Sequence, residues 1–86
     1  MSSKYNNDYS WILRGKQRQK IVKIMDKPKI PTQIKEETNL SLNNVSDVLR
    51  LLEKKKLAIC LNPKQKTGRL YELTKKGMKI KDALQD

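Results

Sequence analysis

Five hydrogen-bonding side chains lie within eight residues of the chain: Asn43, Asn44, Ser46, Asp47 and Arg50. An asparagine amide can pair with adenine through N6 and N7, and an arginine guanidinium can pair with guanine through O6 and N7. Serine can reach bases or phosphates, and aspartate can accept a hydrogen bond from cytosine N4. This stretch therefore has side chains suited to reading the edges of base pairs.

Asp47 differs from its neighbours because an unpaired carboxylate would be repelled by phosphates. It stands three residues before Arg50, a spacing at which opposite charges pair on a helix. We expect this pair to form and to fix the direction of the guanidinium. A contact between Asp47 and cytosine N4 is the alternative.

A second group of candidates is basic and lies in the segment Asn62–Arg69, which is rich in turn formers and lysines. Lys64, Lys66 and Arg69 would form a cationic hairpin tip able to follow a phosphate strand. A charge run can also be no more than a solvated face. The position of these residues between two strand-like runs favours phosphate contact.

Apolar residues at three- and four-residue steps predict the helix that carries the first group. The helix should run from Leu42 to about Lys55, with the Ser41 hydroxyl as its N-cap. The polar group then faces away from the core. Any amphipathic helix has such a polar face, but its place directly after a tight turn favours base reading. The apolar positions are Leu42, Val45, Leu49 and Leu52.

The other elements follow from the proline, glycine and apolar pattern. Asn39 should form the turn before the helix that begins at Leu42, because asparagine tolerates positive φ. Val48 and Leu51 either extend the core or form a partner surface. Cys60 should pack inward, and Trp11 should be a core residue or a dimer contact. We expect helices at about 16–26 and 75–84, and a short helix between residues 29 and 38 that is begun by the Pro31-Thr32 pair. Strands are expected at 57–61 and 69–73, and a short helix or extended arm at 11–13.

Composition narrows the classes of function. Twenty Lys and Arg against nine Asp and Glu give a net charge of +11, which favours an anionic partner, either nucleic acid or an acidic membrane surface.

With no histidine and one cysteine, the chain cannot build a metal cage of these ligands or a disulfide framework. We predict no metal, no cofactor and no enzymatic activity, since no phosphate loop or paired-carboxylate motif is present. No apolar run reaches the roughly 18 residues of a membrane span, so we expect a cytoplasmic protein without a membrane partner.

The 86 residues suit one domain. We assign residues 1–8 to a flexible N-terminal segment and residues 9–86 to a single domain.

Four stretches in order resemble the motifs of small winged helix-turn-helix transcription regulators related to the ArsR and MarR groups, especially the short archaeal forms. They are Pro31–Ile34, Asn39–Ser46, Leu49–Leu57 and Gly68–Gly77. The resemblance covers Tyr9 to Ile80. It implies an α+β, mostly α fold with a two-stranded antiparallel hairpin wing. By the same resemblance, the third helix, about 42–55, enters the major groove, and the wing, 62–69, touches the backbone or minor groove.

These observations predict a sequence-specific regulator that binds double-stranded DNA. A homodimer through the N-terminal arm, residues 5–13, and the last helix is the expected assembly. The alternatives are a winged-helix protein interaction module in a larger assembly and a non-specific nucleic-acid binder. The candidate DNA-contacting residues are Thr32, Gln33, Ser41, Asn43, Asn44, Ser46, Asp47, Arg50, Lys54, Lys64, Lys66 and Arg69.

Overall fold

A computed structural model describes residues 3–85 of the chain, with side chains from residue 7 onward. Within that part, five helices and one two-stranded antiparallel sheet follow each other along the chain. The predicted fold class, mostly helical α+β with a hairpin, is confirmed. The elements are α1 Ser3–Leu13, α2 Lys16–Ile24, α3 Pro31–Thr38, α4 Leu42–Lys54, β1 Ala58–Cys60, β2 Tyr71–Leu73 and α5 Lys75–Leu84.

Hydrogen bonds define both ends of helix α4. Its predicted start at Leu42 is confirmed, and its end at Lys54 is within one residue of the prediction. At the start, Ser41 Oγ accepts a hydrogen bond from the Asn44 N–H at 3.2 Å. At the end, the Leu57 N–H bonds back to the Leu52 carbonyl at 2.8 Å, while Lys56 adopts a φ of 65°. This pattern satisfies the last carbonyls of the helix and turns the chain into β1.

The turn between α3 and α4 uses the predicted positive φ, which is 63° at Asn39. Its N–H bonds to the Lys35 carbonyl at 2.8 Å. The buried Thr38 donates its hydroxyl hydrogen to the Ile34 carbonyl at 2.7 Å, which lets a polar residue pack inside. The tight turn holds α3 against α4.

One predicted helix bound near Pro28 was wrong: α2 ends at Ile24 rather than at about Asp26. The Met25 N–H bonds to the Val22 carbonyl at 3.2 Å, which tightens and ends the last turn before the proline. The predicted start of α3 at the Pro31-Thr32 pair is confirmed, and Lys29 before it forms an isolated antiparallel bridge with Tyr71. The two backbone hydrogen bonds between Lys29 and Tyr71 are each 2.9 Å long.

The hairpin of β1 and β2, together with the loop 61–70 that joins them, is called the wing below. Ala58 pairs with Leu73 and Cys60 with Tyr71. Both strands are shorter than predicted. One reason is that the Leu70 N–H bonds to the Asn62 side-chain Oδ1 at 2.7 Å, so side-chain bonding replaces the strand ladder there.

One hydrophobic core joins the helices to the wing. Val48 belongs to it, with 7% of its surface exposed, whereas Leu51 is 41% exposed. The two flank residues of α4 therefore have different environments. Cys60 is half-buried at the edge of the core. The largest fully buried side chains are Ile12, Ile21, Met25, Ile34, Leu49, Leu52, Leu57 and Ile80.

Helix α1 is longer than the short helix or arm predicted at 11–13. It includes residues 3–8 of the segment for which we predicted flexibility, while residues 1–2 lie outside the described residues. The carboxylate of Asp8 lies 2.9 Å from Lys76 Nζ and 3.9 Å from Lys55 Nζ. The boundary between residues 8 and 9 therefore lies inside one helix, and the flexibility of residues 1–8 stays a prediction.

Candidate nucleic-acid interface

The outward face of α4 carries four exposed polar side chains at three- and four-residue steps: Asn43, Asp47, Arg50 and Lys54. We call this set the α4 stripe. The opposite face of the helix is buried in the core. The helix therefore cannot turn the stripe inward without exposing its apolar face, so the core fixes the direction in which these four side chains point.

Asn44 and Ser46, which we predicted on the same stripe, are half-buried on its two flanks. Asn44 faces the start of α2, where it lines a shallow cavity with Arg18. Ser46 faces α3 and the wing. The predicted outward face is thus narrower than the sequence suggested, because these two positions lie closer to the neighbouring elements.

The predicted intrahelical pair is confirmed. Arg50 Nη2 donates to Asp47 Oδ1 at 3.0 Å, and the two side chains are 71% and 65% exposed. A surface pair of this kind contributes little to stability, about 0–1 kcal/mol. Its effect is on direction, since the carboxylate holds the guanidinium on the outward side of α4.

Two residues predicted to contact DNA accept hydrogen bonds from backbone N–H groups, which restricts the orientation of their side chains. Gln33 Oε1 accepts from the Ile30 N–H at 3.1 Å and so caps the start of α3. Ser41 Oγ is used in the cap of α4. Both side chains remain exposed. The sequence predicted the Ser41 cap but not the Gln33 cap, although glutamine at the third position of a helix is a known capping signal.

A cleft with a volume of about 360 Å³ separates the wing from α3 and α4. We call it the wing cleft. It brings together four of the predicted residues, Thr32, Ser46, Lys66 and Arg69, from three parts of the chain. The exposed Leu42 lines it as well. The sequence predicted Leu42 only as one of the apolar positions of the helix and did not predict that it would be exposed in this cleft.

The loop of the wing is held by its own side chains. Asn62 Nδ2 donates to the Gly68 carbonyl at 3.2 Å, and Gly68 has a φ of 66°, which favours glycine. Arg69 donates from Nε to the Gln65 carbonyl at 2.9 Å and from Nη2 to the Pro63 carbonyl at 3.2 Å. Arg69 thus shapes the loop and has fewer donors left for a partner than the sequence suggested.

The two wing lysines, Lys64 and Lys66, are exposed on the loop that Asn62 and Arg69 hold. Lys54 is exposed at the end of α4. These three ammonium groups therefore lie on the outer surface of the elements that carry the candidate site.

The sequence did not predict the ion pairs of the buried Lys29, which precedes α3, with the more exposed carboxylates of Glu37 and Asp26. Lys29 Nζ lies 2.6 Å from Glu37 Oε1 and 3.5 Å from Asp26 Oδ1, and only 6% of its side chain is exposed. Burial opposes the charge of Lys29, but the hydrogen bond and charge of Glu37, with help from Asp26, outweigh it and raise the pKa of Lys29 above 10.5. The Asp26 carboxylate accepts a hydrogen bond from its own backbone N–H, and this bond, with the charge of Lys29, outweighs desolvation and lowers the pKa of Asp26 below its ordinary value of 3.8.

Two cations that the sequence did not connect to Trp11 lie over its half-buried ring system. The guanidinium of Arg18 lies 4.4 Å from the centre of the ring system, and Lys55 Nζ lies 4.9 Å from it. Arg18 Nη1 also donates to the Trp11 carbonyl at 2.6 Å. The cationic groups of Arg18 and Lys55 therefore make contacts within the chain, and these contacts join α1 to α2 and to the end of α4.

Residues 3–85 contain no cluster of three or more acidic, cysteine or histidine side chains that could hold a metal ion. None of the helices described for this part of the chain has the length and apolar character to cross a membrane.

Comparisons with known proteins agree with this geometry. No curated protein matches the chain significantly. The crystal structure of diamide-treated YodB from B. subtilis is similar, with 25% sequence identity and a TM-score of 0.78 over 99% of this chain and 86% of that one. NadR, crystallised in complex with 4-hydroxyphenylacetate, shares the fold at 18% identity and a TM-score of 0.71, and the match covers 94% of this chain and 62% of NadR. A family model described as winged helix-turn-helix matches residues 18–86, and the chain belongs to that family.

Proposed function

We propose that the chain is a sequence-specific regulator of transcription that binds double-stranded DNA and has no enzymatic activity. Helix α4 would lie in the major groove, and the wing would lie on the backbone or in the minor groove. The observation that carries the proposal is the α4 stripe. It presents an amide, a carboxylate-guanidinium pair and an ammonium outward, from a helix whose other face is anchored in the core.

The dimensions of α4 support this placement. Its thirteen residues give a rod about 20 Å long. A B-DNA major groove is about 12 Å wide and admits one helix. Asn43 and Arg50 are seven residues apart, about 10.5 Å along the helix axis. They would therefore address base pairs about three steps apart.

The charge distribution supplies the affinity in this proposal. The net charge is +11, and Lys54, Lys64 and Lys66 are exposed on the elements that would border the duplex. Phosphate contacts of this kind release counterions and dominate affinity without reading sequence. In this proposal Asn43 and Arg50 of the stripe select bases, while Lys54 and the wing lysines attach to the backbone.

We also propose that two copies bind together. One α4 contacts only a few base pairs, and pairing on a two-fold site is the usual way to gain specificity. Of the arm predicted to form the dimer, Ile12 is already buried within the chain, whereas Leu13 is 43% exposed and available. Tyr5 lies outside the residues whose side chains are described. On α5, Met78 and Leu84 are half-buried. A cytoplasmic location and membership of the ArsR- and MarR-related short archaeal forms belong to the same proposal.

A protein interaction module is the second candidate, and the exposed Leu51 favours it. A partner surface on this flank of α4 requires both Val48 and Leu51 to be exposed, and Val48 is buried. Only Leu51 of the two is therefore available to a protein partner.

In vitro selection from random duplexes, at about 150 mM salt to suppress purely ionic attachment, tests the proposed function. We expect one motif to be enriched and to bind at least about 10³-fold more tightly than random duplex. Enrichment of no motif, with equal affinity for all duplexes, would favour the non-specific binder. No measurable binding to any duplex would favour the protein interaction module.

A further inference from the structure

One side of the proposed DNA-binding surface carries an exposed apolar side chain. Leu42 is the first residue of α4 and is 41% exposed, whereas Leu49 and Leu52 of the same helix are buried. The backbone beside it is fixed, because Ser41 Oγ accepts the hydrogen bond from the Asn44 N–H. Leu42 is thus held in a defined position while contributing little to the core.

The surroundings of Leu42 combine apolar, hydroxyl and cationic groups. Leu42 lines the wing cleft together with Pro31 of α3 and with Ser46, which follows one helical turn later. Lys66 and Arg69 line the same cleft from the wing. A ligand that fits here needs an apolar group close to hydrogen-bonding atoms and to negative charge.

We propose that Leu42 contacts the 5-methyl group of a thymine in the major groove. This inference rests on the proposed function, since it requires α4 to enter that groove. Thymine presents a methyl group on its major-groove edge next to the O4 acceptor. The wing cations, Lys66 and Arg69, would then lie beside the phosphates of the duplex.

The side chain also explains which base the contact would reject. Leucine offers no hydrogen-bond donor or acceptor. A cytosine at the same position has a hydrogen at C5 in place of the methyl group, so the apolar contact with Leu42 would be lost. Leu42 would therefore select thymine over cytosine through this contact.

The experiment uses the duplex enriched by selection and replaces each thymine in turn with deoxyuridine, which lacks only the methyl group. For the unmodified protein we expect one thymine per half-site at which this replacement lowers affinity about three- to five-fold, as the loss of one buried methyl contact implies. For Leu42→Ala we expect equal affinity for the thymine and the uracil duplex at that position. Alanine favours helix and Leu42 is exposed, so this variant should fold, which thermal unfolding checks.

Leu51→Ala is the matched control, because Leu51 is also 41% exposed on α4 but lines a cavity with the start of α2 instead of the wing cleft. It should keep the full loss on replacement of thymine. If every thymine can be replaced without loss, or if Leu42→Ala keeps the loss, the inference is overturned while the proposed function stands. If no duplex is enriched at all, the proposed function fails and this inference fails with it.

Discussion

At the scale of single residues, the paired side chains of Asp47 and Arg50 connect local structure to the specificity that we propose. The pair spans three residues of one helix, so the sequence was sufficient to predict it. The ion pair of Lys29 with Glu37 could not be predicted in this way. It joins the segment before α3 to the end of that helix, and only the folded chain buries Lys29.

The variant Asp47→Ala should separate attachment from selection. Removing a carboxylate that faces phosphates should raise affinity for random duplex slightly. Loss of the bond that directs Arg50 should lower the ratio of specific to random affinity by about two- to five-fold, the worth of one surface pair. Competition binding with selected and random duplexes measures both affinities.

Glu53→Ala is the control for Asp47→Ala, because it removes an exposed carboxylate from α4. It should leave the specificity ratio near that of the unmodified protein. An equal fall in the ratio for both variants would show that the charge, and not the direction of Arg50, matters.

The Lys29–Glu37 pair predicts an alkaline loss of stability. Because the folded-state pKa of Lys29 is raised above 10.5, its contribution is complete at lower pH and is lost as pH rises through that folded-state value. Glu37→Gln should lower the free energy of unfolding at pH 7 by about 0.5–1 kcal/mol, because glutamine removes the charge but keeps an acceptor oxygen, and Asp26 remains as a partner.

Urea denaturation between pH 7 and 11.5 measures the difference between the unmodified protein and Glu37→Gln. The difference should stay constant to about pH 10 and then shrink. The neighbouring Glu36→Gln, which removes an exposed carboxylate, should show no such change. A difference for Glu37→Gln that does not shrink up to pH 11.5 would contradict the pair.

At the scale of elements, local signals explain which parts of the fold were predictable. The apolar periodicity of α4 and its Ser41 N-cap are both visible in one continuous stretch of sequence. The start of the helix was therefore predicted correctly. The length of α1 was not, because the first eight residues show no apolar period. Its stabilising contacts come from distant residues, including Lys55 and Lys76 at Asp8. The wing strands were predicted too long because the Asn62 side chain takes over bonding at their ends.

The end of α4 provides a stability test. Lys56 adopts positive φ, which strains any residue with a Cβ atom. Lys56→Gly should therefore be more stable than Lys56→Ala by about 0.5–1 kcal/mol, after the greater freedom of glycine in the unfolded chain is included. Both variants remove the same charge, so their difference in chemical denaturation isolates the backbone. Equal stability of the two would show that the turn at Lys56 is not strained.

At the scale of the whole molecule, not all of the net charge is available to DNA. Arg18 and Lys55 lie against Trp11, Lys76 pairs with Asp8, and Lys29 is buried. These cations hold the elements together and should contribute little to the salt dependence of binding. We therefore expect fewer released counterions than the number of basic residues implies.

The proposed two-fold assembly can be tested by sedimentation at micromolar concentration, with and without the selected duplex. We expect two copies on the duplex, because one α4 addresses too few base pairs for specificity. Leu13→Glu, which places a charge on the exposed end of α1, should weaken the pairing of copies without unfolding the chain. A strict monomer in both conditions would contradict the dimer but not base reading by α4.

The central claim, that α4 reads bases while the wing attaches to phosphates, is tested most directly by comparing Arg50→Ala with Lys66→Ala on selected and random duplexes across a range of salt. Arg50→Ala should lose about 1–3 kcal/mol on the selected duplex and little on random duplex. Lys66→Ala should weaken both alike and lower the salt slope by about one. Lys75→Ala should change neither, because Lys75 lines a different cavity, with Asp26 and Met78, and not the wing cleft. If Arg50→Ala instead lowers affinity equally for every duplex, α4 does not read bases and the account is wrong.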